Sequence, residues 1–137
     1  MWYAFPNNDN PKLWVNEKSS LKDAFSLYNP YSRKARLLKC LFSILPDSFG
    51  KLLLKPVTSS ELDAEFKKYK ENIDNILTID STINISPGTK SKHQKTTVQI
   101  INNGTTQAFL KISKTPQTIE LSDNENDILK FLETKNL

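Results

Sequence analysis

The sequence predicts an α+β fold: a helical N-terminal half, then a small antiparallel sheet and one packed helix. Three observations predict it. Apolar residues recur at helical spacing in two long stretches before about residue 76. Beyond that point the pattern turns to alternation rich in β-branched residues. Asn102, Asn103 and Gly104 then separate two apolar runs with the chemistry of a hairpin turn. The 137 residues suit one domain, or one domain plus an extension, divided here as 1–75 and 76–137.

Taken in order, "WYAFP" and "PKLWV" are short aromatic-rich runs that predict two strands joined by a polar turn, "NNDN". Pro6 and Pro11 point to edge positions for both. "SSLKDAFSLYNP" predicts a short helix ended before Pro30. "YSRKARLLKCLFSIL" is a clearer helix, with Leu37, Leu38, Leu41, Phe42 and Leu45 on one face and Pro46 closing it. "LLLKPV" reads equally as strand or helix end. In "TSSELDAEFKKYKENIDNIL", Thr58 and Glu61 have capping-box spacing, and Leu62, Phe66, Tyr69 and Ile73 form the apolar stripe. "ILTIDSTINIS", "TTVQII" and "TQAFLKIS" are the predicted strands of a sheet over about 76–113, with "PGTKSKHQK" a polar loop between the first two. "LSDNENDILKFLE" closes as a helix, with Ser122 as N-cap, Glu125 at capping-box spacing, and Ile128, Leu129 and Leu132 as the stripe that meets the sheet.

Composition excludes several classes. No run of eighteen apolar residues reads as a membrane span. The first residues lack the basic start and apolar centre of a secretory signal. One cysteine, Cys40, excludes an internal disulfide, fits a reducing, cytoplasmic setting, and is expected in or near the core. No Cys/His cluster argues for zinc, and no Walker-type loop or Gly-x-Ser-x-Gly is present. Of the net charge of +4, residues 1–57 hold nine basic and four acidic side chains. Arg33, Lys34, Arg36 and Lys39 decorate the leucine helix. That helix is expected to pack its leucines on the rest of the chain, with an anionic membrane surface or a protein partner as the other use. No nucleic-acid signature appears.

One lysine, Lys111, interrupts the apolar run "AFLKIS", and one glutamate, Glu125, stands near the start of the helix pattern that follows. A lysine on a strand is costly to bury without a partner. Lys111 is therefore either paired or a solvent-facing edge-strand lysine. Glu125 is either its partner or a capping residue. The loop lysines Lys90, Lys92 and Lys95 could meet phosphate or simply face water, and His93 reads as a loop residue.

The order strand, loop, strand, tight turn, strand with lysine, helix with glutamate resembles the N-terminal lobe of the protein-kinase-like superfamily. It is most similar to the aminoglycoside-phosphotransferase-like small-molecule kinases. The resemblance covers about residues 76–137. It implies that "AFLK", ending at Lys111, is the strand whose lysine binds nucleotide phosphates, and that "NENDILKFL" is the helix whose glutamate, Glu125, orients it. The loop around Gly88 would cover the phosphates, with one glycine where protein kinases carry three. Phe109, on the face of Lys111, stands where some of these enzymes stack an aromatic on the base, so it is either a nucleotide contact or a pocket filler. The catalytic base and magnesium ligands of the family would lie beyond the glutamate helix. The expected function is thus the N-terminal part of a phosphotransferase, contributing ATP contacts, inactive by itself, and using ATP and Mg only in a complete protein with its C-terminal lobe. The alternative is a non-catalytic interaction module that uses the basic helical half.

Overall fold

Trp2 and Phe5 stand three residues apart on one strand, so their side chains point to opposite faces. Both are buried. The sheet they belong to is therefore covered on both sides. In the computed structural model, which describes residues 1–88, 91, 94–113 and 115–134 (the last four by backbone alone), strand β1 (Trp2–Phe5) pairs with β2 (Leu13–Asn16) and with the short β3 (Lys55–Pro56). Strand β2 meets β4 (Thr82–Ser86), and β5 (Lys95–Asn102) and β6 (Thr105–Ser113) complete the ladder. The order is β3-β1-β2-β4-β5-β6, antiparallel throughout.

The sheet is thus wider than 76–113, and its two N-terminal strands are interior rather than at an edge. Pro6 and Pro11 lie outside both ladders, where the missing N–H goes unneeded. Asn103 and Gly104, both at positive φ, form the two-residue turn between β5 and β6, as the sequence predicts.

The described residues form five helices. Helices α1 (Leu21–Ser26), α2 (Arg33–Ile44) and α3 (Asp47–Leu52) follow β2. Ser20 and Ser32 cap the first two by accepting the N–H of Asp23 and Ala35 at 3.1 Å. Asp47 accepts the Leu21 N–H at 2.8 Å and so ties α3 to α1. Helix α4 (Ser60–Leu77) is capped by Ser59, one residue beyond the predicted Thr58. It runs through Ile76 and Leu77, which end the helical stretch and also begin the alternating run in the sequence, and the structure gives them to the helix. Anchoring of Phe66 and Ile73 on the sheet outweighs the weak β preference of two residues. Thr78, at φ 56°, ends it.

Helix α5 (Pro116–Thr134) begins six residues before the predicted Ser122. The Thr115 hydroxyl accepts the Thr118 N–H at 3.3 Å, and Pro116 fits the first helical position.

Two clusters divide the core by face. Trp2, Ile83, Ile85, Val98 and Ile100 pack with Phe66 and Ile73 of α4. On the other face Phe5, Leu13 and Val15 pack with Leu21, Ala24 and Phe25 of α1 and Phe42 of α2. The Phe42 ring stacks on Phe25 with centroids 4.6 Å apart. Phe42 is the only fully buried residue of α2. The predicted leucine face is therefore not a core face. One ring makes the contact, and Leu37 and Ile44 lie nearly opposite it on the helix. Cys40 is likewise exposed rather than near-core.

A buried polar network fixes α1 on its face of the sheet. Asn84 and Gln99, neighbours across β4 and β5, are fully buried. Asn84 donates to the Ser19 hydroxyl at 2.7 Å and to Gln99 Oε1 at 3.0 Å, and its carbonyl accepts the Asn16 N–H at 3.1 Å. Gln99 Nε2 donates to Ser26 and Thr106 at 3.2 and 2.9 Å. Every strong donor and acceptor of the two amides is satisfied.

Candidate functional site

The candidate site lies on the α1 face, where β4, β5 and β6 leave the helices. Cross-strand partners share a face. Ser86 pairs with Thr97, and Thr97 with Lys111, so these three form a row across the three strands. Gln99 pairs with Phe109, and Lys95 with Ser113. Lys111 and Phe109 therefore stand together, while Ile112 packs on the α4 cluster behind.

A bulge decides this grouping. The register shifts between Ile100 and Ile101, which leaves Gln107 without an opposite residue. Without the shift, Lys111 would pair with Thr96 and turn to the α4 face, away from Lys95, whose own face is fixed by the unbroken β4–β5 ladder.

Lys111 is exposed and makes no ion pair among the described residues. Phe109 beside it is 57% exposed. The strand does not bury its lysine, so no pairing is needed to offset desolvation. Glu125, on α5, forms its ion pair with Lys95 instead, at 3.1 Å. Ser122 and Ser113 join their hydroxyls at 2.8 Å one turn earlier. Glu125 thus sits over the face that carries Lys111 without reaching it. Lys95 and Lys111 are diagonal neighbours across β5 and β6, a separation of roughly 7–8 Å between Cα atoms. The capping role of Ser122 and Glu125 does not arise, because both lie within α5. The apolar stripe also stands off the sheet: Ile128 and Leu129 are exposed, and the Leu132 side chain lies outside the described residues.

Gly88 opens the β4–β5 loop at φ +72°, and a Cβ there would lie 2.4 Å from the Lys95 carbonyl oxygen. Only glycine lets the two ends of the loop approach so closely. Gln94 braces the same neck by donating to the Pro87 carbonyl at 2.7 Å. Lys90, Lys92 and His93 lie outside the described residues. Gly88 and Ser86 also line a cleft of about 370 Å³ against Lys12 and the Leu27–Tyr31 segment after α1. A second cleft, of about 190 Å³, lies on the α4 face between Phe66 and Thr96, away from Lys111.

The arrangement offers an ammonium without an ion pair among the described residues, two hydroxyls and a glycine-necked loop along one open face. Such a set can meet an anionic, oxygen-rich group. Among the described residues no cluster of His, Cys, Asp or Glu is placed to hold a metal ion. Sequence reading named Lys95 as a loop lysine that could meet phosphate, whereas it begins β5, and it missed Thr97 and Ser86 as members of this face. The parity that joins them to Lys111 passes through the bulge, which has no composition signal of its own. Comparison with protein-family models, with curated proteins and with solved structures finds no match for this chain.

Proposed function

We propose that this chain is the N-terminal part of an aminoglycoside-phosphotransferase-like kinase and contributes ATP-phosphate contacts through Lys111. The supporting observation is the sharing of one sheet face by Lys111 and a helix-borne glutamate, Glu125, behind a strand–loop–strand whose neck requires Gly88. In this reading the Lys95–Glu125 pair is the resting arrangement. A movement of α5 by about one helical turn, on the order of 5 Å, transfers Glu125 to Lys111. Phe109 supplies an apolar surface for the base. The catalytic base and the magnesium ligands are assigned to a further lobe, so the chain by itself binds nucleotide but does not turn it over.

The test is a titration of the isotope-labelled chain with Mg-ATP, read by amide and lysine resonances. The reading expects shifts at Ser86, Thr97, Phe109 and Lys111 that disappear in Lys111→Ala and persist in Lys12→Ala. Shifts that survive Lys111→Ala, or that cluster on the α4 face, would remove the assignment.

A further inference from the structure

The face of α2 that points away from the core is apolar and ringed by cations. Leu37 and Ile44 are 72% and 76% exposed on the side nearly opposite Phe42. Leu41 stands beside them, also exposed. Two residues beyond α2 the chain enters α3, where Phe49 and Leu52 are 66% and 80% exposed. Isolated exposed leucines are ordinary. Five large apolar side chains set outward on two successive helices are not.

The charges around them have one sign. Arg33, Lys34 and Arg36 are exposed in the first turn of α2, and residues 24–46 contain no Asp or Glu. The next acid, Asp47, is engaged by the Leu21 N–H. Cations at a helix N-terminus are unfavourable to the helix itself, because they oppose its dipole. Their placement is therefore not explained by the stability of α2.

No described helix is long and apolar enough to cross a membrane. A short amphipathic helix with a basic rim instead lies flat on a bilayer, its apolar face in the acyl boundary and its cations at the headgroups. We propose that the outer face of α2 and α3 docks on an anionic phospholipid surface. Leu37, Leu41, Ile44, Phe49 and Leu52 insert, and Arg33, Lys34 and Arg36 engage headgroup phosphates. The charge complementarity selects lipid phosphate over an uncharged surface. The inference is independent of the nucleotide reading, since it uses no residue of the Lys111 face.

The test is co-sedimentation of the full chain with vesicles. One set is phosphatidylcholine alone; the other is one part phosphatidylglycerol to two parts phosphatidylcholine. The expected result is binding to the anionic set only. Neutralising Arg33, Lys34 and Arg36 to Gln should weaken it on the order of 100-fold, about fivefold for each charge near the surface. Leu37→Glu with Ile44→Glu should abolish it. Both variants change exposed side chains, and circular dichroism checks that each remains folded. Equal binding to both vesicle sets, no binding by the folded chain, or binding that either variant leaves intact overturns the proposal. So does light scattering that shows a dimer which Leu37→Glu with Ile44→Glu dissociates, because a second copy then covers this face.

Discussion

Replacing Gln99 by Leu keeps nearly the same volume but removes an amide that is fully buried and triply bonded. The perturbation is therefore electrostatic rather than steric. Three hydrogen bonds disappear, each worth about 1 kcal/mol net. One lost partner matters more than the others. Asn84 Nδ2 keeps Ser19 but loses Gln99 Oε1, and nothing else among its partners can replace that acceptor inside the core. Ser26 and Thr106 can turn their hydroxyls elsewhere; Ser26 already donates to the Asp23 carbonyl at 2.6 Å. The gain of burying a leucine offsets part of the loss, on the order of 1 kcal/mol. The expected net cost is about 2 kcal/mol, or a fall of roughly 5–8 °C in Tm for a domain of this size. Urea unfolding of Gln99→Leu, Asn84→Leu and the double variant measures it. The double variant should lie closer to the wild type than the sum of the singles, because each single leaves the other amide without its cross-strand partner and the double removes both; the Asn16 N–H loses Asn84 in the Asn84→Leu single and in the double alike, so it cancels in the cycle. A Gln99→Leu chain as stable as the wild type, or strict additivity, would refute the account of this network.

Other outcomes follow from the same geometry. Burial alone would raise the Asp74 carboxyl, but the Lys70 ammonium and the hydroxyl and N–H of Ser81 outweigh it and hold the group below its ordinary value of 3.8. A carboxyl depressed on folding stabilises above its unfolded value and loses that contribution as pH falls through the folded one. The stability deficit of Asp74→Asn should therefore be largest near neutrality and shrink below about pH 4; a deficit unchanged on acidification contradicts the assignment. The Lys95–Glu125 pair joins a largely covered lysine to a half-exposed glutamate, so a double-mutant cycle should give a coupling under about 1 kcal/mol that salt reduces. A coupling well above that would mean that α5 is locked and cannot hand Glu125 to Lys111. Gly104→Ala should cost about 1 kcal/mol in urea unfolding, from left-handed strain alone, because a Cβ at that φ of +71° meets nothing within 4 Å. A neutral substitution would mean the turn relaxes.

The local patterns decided much of the fold by themselves. Ser20 and Ser32 cap their helices, the Phe66–Ile73 stripe faces the sheet, and Asn103–Gly104 makes the turn, because each is settled by neighbours within a few residues. The face of α2 was not legible in that way. Its large apolar residues span about half of the helix circumference, and the stacking of Phe42 on Phe25 chooses which edge of that span is inward. The same holds for the strands "WYAFP" and "PKLWV": their runs are visible, but their place inside the sheet depends on β3 and β4, which are distant in sequence. Lys111 and Glu125 stand out in the sequence as a strand lysine and a helix glutamate. Their relation does not, for two tertiary reasons. The bulge at Ile100/Ile101 sets which β5 residues share a face with Lys111, and α5 begins at Pro116 and reaches the sheet through Ser122 and Glu125. Together they give the glutamate to Lys95. A one-residue shift in register exchanges the two faces of a strand, and no pattern within β5 or β6 alone records that shift.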